Sequence, residues 1–147
     1  MAEKPRVLIV EARFYEDIAD ELMAGAAAVL EPAGCRVDRT RVPGAFEIPA
    51  AIAMAQNGEA VYDGYVALGC VIRGETSHYD YVCGESARGL QELAIRGPLA
   101  IGYGILTTES RGQAWARAAR DQGNKGADAA RACLDMIALR DRFGAKA

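Results

Sequence analysis

The segment Ile72-Arg73-Gly74-Glu75-Thr76-Ser77-His78-Tyr79-Asp80 holds the chain's only histidine, with a glycine and two hydroxyl side chains next to it. It lies just ahead of a stretch of helical period. Backbone N–H groups at a helix start, joined by the hydroxyl of Thr76 or Ser77, can hold a phosphate without net positive charge. Gly74 lets a ligand approach the backbone closely. An imidazole titrates near neutral pH, so His78 can carry protons for a reaction whose phosphate is bound beside it. The plainer reading of the same residues is that Ser77 caps a helix, Gly74 turns the chain and His78 is a solvated side chain.

Three other places carry residues that a plain connector does not need. Arg13-Phe14-Tyr15 puts an aromatic where a planar heterocycle can stack on it, unless it simply packs in the core. Gly44-Ala45-Phe46-Glu47 combines a small residue, an aromatic and a carboxylate at a turn into a helix, a set suited to gripping a polyol or an amide edge. Glu47 would otherwise be an ordinary acid of a first helical turn. Arg117 and Lys125 flank a helix break at Gly123-Asn124-Lys125-Gly126; arginine suits bidentate phosphate contact, and the alternative is a pair of solvated charges.

Short apolar runs alternating with longer helical segments must position these groups, a pattern that predicts a parallel sheet with helices on both faces. Strands are expected at Arg6 to Val10, Cys35 to Val42, Tyr65 to Leu68 and Leu99 to Ile105. A helix carrying Ile18, Leu22, Ala26 and Val29 follows the first strand, and a short one with Ile48, Pro49, Ile52 and Ala55 follows the second. A third, with Cys83, Ala87, Leu90 and Ala94 inward, ends at Gly97-Pro98. Two more run from Arg111 to about Asp121, packed through Trp115, and from Ala127 to about Arg142, packed through Ala130, Cys133, Leu134 and Ile137. In such a sheet, ligands bind beyond the carboxyl ends of the strands. The loops Glu11 to Glu16, Pro43 to Ile48, Gly69 to Asp80 and Thr107 to Arg111 are expected to gather there.

A chain of 147 residues fits a single domain, 1–147. With 17 Lys plus Arg against 20 Asp plus Glu, the net charge is -3, which gives nucleic-acid binding no general electrostatic drive. The apolar run Val7 to Val10 is too short for a signal-peptide core or a membrane span, so a cytoplasmic location without membrane attachment is expected. Cys35, Cys70, Cys83 and Cys133 form no Cys-x-x-Cys pair and are expected as reduced, mostly buried thiols. One histidine and no paired cysteines leave no usual zinc ligand set, and no metal or cofactor is expected.

Five segments, in order, resemble the lumazine synthase family. They are Ala12-Arg13-Phe14, Val42 to Pro49, Leu68 to Tyr81, Gly104 to Glu109 and Gly123 to Gly126, and the likeness runs over nearly the whole chain. The resemblance implies a flavodoxin-like three-layer α/β sandwich around a four-stranded parallel sheet. It also implies condensation of 5-amino-6-ribitylaminouracil with 3,4-dihydroxy-2-butanone 4-phosphate to 6,7-dimethyl-8-ribityllumazine, phosphate and water, with no redox cofactor or metal. By the same likeness Phe14 stacks on the pyrimidine, while Ala45, Phe46 and Glu47 hold the ribityl chain and ring edge. Val71 and Ile72 line the pocket. Gly74, Glu75, Thr76 and Arg117 bind the phosphate, with Glu75 contributing its backbone and its side chain turned to solvent. His78 carries protons, Tyr103 forms a wall, and Lys125 lies near the pyrimidine.

In that family the groups matching Tyr103, Arg117 and Lys125 come from a neighbouring subunit, which implies a homo-oligomer. The short segment before the first strand and the sequence Ala118 to Gly123, which lacks the glycine-rich kink of shell formers, favour a pentamer over a 60-subunit shell. Two competing readings are a non-catalytic flavin or lumazine carrier and a structural shell protein. A phosphate site beside an imidazole has no use in a carrier, although flavin mononucleotide would fit a ring-plus-phosphate pocket, and a shell protein would need assembly without turnover.

Overall fold

Four strands pair side by side in a computed structural model that describes residues 4–145. They are β1 (Arg6–Ala12), β2 (Arg36–Val42), β3 (Gly64–Ile72) and β4 (Ile101–Thr108), all parallel and ordered β2-β1-β3-β4. Five helices connect and cover them: α1 (Glu16–Leu30), α2 (Ile48–Gln56), α3 (His78–Arg96), α4 (Arg111–Ala118) and α5 (Lys125–Phe143). A 3-10 turn, Ala45–Glu47, leads into α2.

The period of two along β1 explains the layering. Val7 and Ile9 point into a core shared with α1, α4 and α5, whereas Leu8 and Val10 point into a second core shared with α2 and α3. Burial on both faces is why the parallel strands read as continuous apolar runs rather than as alternating ones. The expected three-layer α/β sandwich with a four-stranded parallel sheet is therefore the observed fold.

Several boundaries differ from the sequence expectation, and the differences matter for the site. β3 continues four residues past Leu68, because Gly69 to Ile72 pair with Ile105 to Thr108 of a lengthened β4. Segments expected as loop, Gly69 to Ile72 and Thr107-Thr108, are thus rigid sheet. α3 begins at His78, and its buried face is Val82, Ser86 and Leu90 instead of Cys83 and Ala87, a rotation of one residue. α4 stops at Ala118 rather than Asp121, and it packs through Ala114 and Ala118 while Trp115 remains 39% exposed. The small alanines let α4 approach the core more closely than an indole would. All four cysteines are free thiols, but only Cys133 is buried and the other three are half-buried.

Candidate active site

The carboxyl edge of the sheet opens into a cleft of about 540 Å³. Ala12 ends β1 on its wall, and the next turn presents Phe14, whose ring is 76% exposed. Phe14 meets its neighbour Tyr15 edge-on, with centroids 4.9 Å apart, and Tyr15 in turn packs on the core. After β2 the 3-10 turn places Ala45, Phe46 and Glu47 on the opposite wall. Ala45 is buried there, while Phe46 is 53% exposed and Glu47 is exposed. Val71 and Ile72 reach the cleft from the extended end of β3, and His78 enters it from the first residue of α3.

The loop before His78 leaves several of its polar groups without protein partners. Among the described residues the amides of Gly74, Glu75 and Thr76 have no protein acceptor, and the Thr76 hydroxyl oxygen accepts from the His78 amide at 3.3 Å. Ser77 is the residue before the helix, yet its side chain makes no cap bond, which leaves the positive end of the helix dipole open to a ligand. A Cβ on Gly74 would meet nothing within 4 Å, so the backbone there is accessible. Glu75 is exposed. Arg73, the nearest cation in sequence, is already engaged. Its Nε lies 3.0 Å from Glu109, its Nη2 3.4 Å from Asp80, and its guanidinium stacks over Tyr79 at 4.3 Å. The hydrogen bond to Glu109 is the main reason its pKa is raised further.

A second cleft of about 470 Å³, sharing no residue with the first, lies where β4 meets α5 and contains Tyr103, Arg117 and Lys125. Tyr103 is 45% exposed on the edge strand, and partial burial raises its hydroxyl pKa above the usual value. Ser110 caps α4 by accepting from the Gln113 amide at 3.2 Å, while the Gln113 side chain accepts from the Glu109 amide at 2.8 Å. One turn later Arg117 is exposed and donates only to the Gln113 carbonyl at 3.0 Å; it enters no ion pair among the described residues. Gly123 packs on the backbone of Arg117, where a Cβ would meet its Cα and carbonyl oxygen at 2.8 Å. Asn124 then takes a left-handed φ of 49° and starts α5 at Lys125, so the break brings both cations to one cleft. Lys125 Nζ lies 3.4 Å from Asp128, an exposed pair of small energetic weight.

The expected site residues therefore fall into two groups in one chain. Phe14, Ala45, Phe46, Glu47, Val71, Ile72 and His78 share the first cleft, with Gly74, Glu75 and Thr76 on the adjoining loop. Tyr103, Arg117 and Lys125 share the second. Sequence reasoning missed Cys70, Tyr81 and Val82 in the first cleft and Thr107 and Asp128 in the second. A helix start at His78 would have revealed Tyr81 and Val82, which lie three and four residues on and so on the same face. Burial pushes the Cys70 thiol up to about 11, so it lines the cleft as a neutral group. Among the described residues no group of three or more His, Cys, Asp or Glu side chains is placed to hold a metal ion.

Comparison with known proteins shows the family. The family model for 6,7-dimethyl-8-ribityllumazine synthase matches residues 4–141. The chain is similar to the 6,7-dimethyl-8-ribityllumazine synthase of Bartonella tribocorum, 58% identical over 98% of this chain and 95% of that protein. It is 59% identical to the enzyme of the same name from Bartonella bacilliformis, over 95% of this chain and 93% of the relative. Against 6,7-dimethyl-8-ribityllumazine synthase 1 of Rhizobium meliloti it is 58% identical, over 95% and 94%. A family model that spans the strand ends, both clefts and the helix break, joined to this identity over nearly full length, means that the chain belongs to the 6,7-dimethyl-8-ribityllumazine synthase family.

Proposed function

We propose that the two clefts are the halves of one active site, the Phe14 and His78 cleft of one copy of the chain being completed by the Tyr103, Arg117 and Lys125 cleft of the next. The reaction is the family's condensation of 5-amino-6-ribitylaminouracil with 3,4-dihydroxy-2-butanone 4-phosphate, the ring-forming step of riboflavin biosynthesis that gives 6,7-dimethyl-8-ribityllumazine. The observation that carries the composite site is the uncommitted guanidinium of Arg117 in a cleft separate from the cradle at Gly74 to Thr76, whose own arginine, Arg73, is neutralised by carboxylates. Two different surfaces meeting head to tail make a heterologous contact, which gives a ring when its rotation closes. A pentamer of one-domain subunits is the assembly we favour.

In this site Phe14 stacks on the pyrimidine, and Ala45, Phe46 and Glu47 hold the ribityl chain and ring edge. Val71 and Ile72 line the floor, Tyr103 forms the far wall, and Lys125 stands near the pyrimidine. Backbone groups of Gly74, Glu75 and Thr76, the Thr76 hydroxyl and the neighbour's Arg117 bind the phosphate. The primary amine attacks the ketone and water leaves to give an imine. Phosphate is then eliminated, the enol tautomerises, and the second amine closes the ring with loss of a second water. Nearly every step moves a proton, so His78 beside the phosphate is placed to accept and return it. Holding two substrates in reacting geometry supplies up to about 7 to 11 kcal/mol in favourable cases. Proton transfer by His78 adds roughly 10² to 10⁴-fold.

Mixing the purified protein with both substrates and following the fluorescence of the lumazine product tests the activity. Turnover with stoichiometric release of inorganic phosphate is expected. Binding of flavin without turnover would replace the enzyme reading by that of a carrier.

A further inference from the structure

The exposed ring of Phe14 sits on the turn between β1 and α1. Tyr15, the residue before α1, offers no side-chain cap to the helix, and Phe14 itself is 76% exposed. The preceding side chain is the opposite: Arg13 is only 11% exposed although it belongs to the same turn. Its Nη1 donates to Glu11 at 2.7 Å, its Nε donates to Glu16 at 3.0 Å, and its Nη2 bonds Asp20.

The network extends further. Glu11, 3% exposed at the end of β1, gives its second oxygen to Arg39 of β2 at 2.7 Å. Glu16 gives its second oxygen to Arg41 at 2.7 Å. Three cations and three carboxylates thus bind β2, β1, the turn and α1 into one unit, with the planar fork of Arg13 at its centre. Docking of α1 does not depend on this fork, because Ile18, Leu22, Ala26 and Leu30 are buried to within 1%. Together with the packing of Tyr15 on the core, the fork fixes the path of the chain from Arg13 to Glu16, and Phe14 rides on that path.

We propose that Arg13 is a positioning residue for the ring substrate: clamped between Glu11 on the sheet and Glu16 and Asp20 on α1, it holds Phe14 as a prebuilt stacking platform for the pyrimidine. This rests on the reading of Phe14 as the stacking residue. Pre-organisation lowers the ordering cost of binding, so its loss weakens capture of the stacked substrate and leaves later proton transfers in place.

The test is a double-mutant cycle of Arg13→Gln and Phe14→Ala, with Arg13→Lys as the conservative variant, measuring kcat and both KM values. Base stacking on an aromatic sets the scale, so Phe14→Ala is expected to raise the pyrimidine KM about tenfold. Arg13→Gln is expected to raise the same KM about fivefold, with kcat and the butanone phosphate KM within about twofold, and Arg13→Lys to recover part of the loss. In the Phe14→Ala background Arg13→Gln is expected to add nothing further. An equal rise in both backgrounds overturns the role of Arg13 while leaving Phe14 as the platform. No effect of Phe14→Ala overturns the stacking reading and the proposal with it. Should Arg13→Gln fail to fold, the exposed partners are changed instead, in the double variant Glu16→Gln with Asp20→Asn, which keeps the Glu11 pair. The same selective rise in KM supports the proposal, and an unchanged pyrimidine KM refutes it.

Discussion

Arg117→Ala separates a ligand contact from a structural one with little interference. The side chain is exposed, sits in the last turn of α4, and donates one hydrogen bond, to the Gln113 carbonyl. Arginine and alanine are both strong helix formers, so the substitution costs the helix at most a few tenths of a kcal/mol. The melting temperature is expected to stay within about 2 °C of the parent, given a few degrees per kcal/mol at this size. The loss falls on the phosphate. A hydrogen bond to a charged group is worth about 1.5 to 3 kcal/mol, and each 1.4 kcal/mol is tenfold, so the KM for 3,4-dihydroxy-2-butanone 4-phosphate is expected to rise roughly tenfold to a hundredfold. Inhibition by inorganic phosphate should weaken by a similar factor, and the pyrimidine KM should move little. Initial rates over both substrate concentrations, with phosphate as a product inhibitor, measure all three quantities. A selective rise in the pyrimidine KM, or unchanged inhibition by phosphate, would refute the assignment of Arg117 to the phosphate.

Three further outcomes are expected. His78→Ala should lower kcat by about 10² to 10⁴-fold and leave measurable turnover from positioning, checked at saturating substrate; complete loss in a folded, assembled variant would contradict the positional account. Gly126→Ala should lower the melting temperature by several degrees, since its Cβ would fall 2.0 Å from the Leu22 carbonyl oxygen at the α1–α5 crossing. Gly84→Ala, with nothing within 4 Å of the new Cβ, should leave it unchanged or raise it slightly. Burial raises the Cys133 thiol from about 9 to about 12, so the folded state keeps a proton that the unfolded state loses in that window. Stability is therefore expected to fall as pH rises above about 9, and Cys133→Ala should make the fall shallower in thermal melts run from pH 8 to 11.

The layers of the fold were legible in the sequence because parallel strands buried on both faces advertise themselves as apolar runs, and Arg6 to Val10 and Tyr65 to Leu68 did so. The ends of β3 and β4 were not legible. Gly69 interrupts the run, and only the pairing of Cys70, Val71 and Ile72 with Leu106, Thr107 and Thr108 continues it, which is a tertiary effect. The helical register of α3 slipped by one residue for a related reason. Cys83 and Ala87 look more apolar than Ser86, yet Ser86 is fully buried, its hydroxyl bonded to the Cys83 carbonyl at 3.2 Å.

For the site, residue types around Phe14, Phe46 and His78 pointed to the first cleft directly. That Tyr103, Arg117 and Lys125 occupy a separate cleft could not be read from residue types alone, since it depends on the left-handed turn at Asn124 and on Gly123 lying against Arg117. The Arg13 network was invisible for a different cause. Nothing in the residue types of Arg39, Arg41, Glu11 and Glu16 names their partners, and only the packing of β2 beside β1 brings them together.

The central claim is that a site forms between copies, and mixing two impaired variants tests it most directly. His78→Ala and Arg117→Ala chains, unfolded together and reassembled in equal amounts, should regain activity, because a site with His78 from one copy and Arg117 from the next is intact. For random head-to-tail assembly about one quarter of the sites qualify, so roughly a quarter of the parent rate is expected at subsaturating butanone phosphate. A mixture no more active than the mean of the two separately reassembled variants would contradict the shared site.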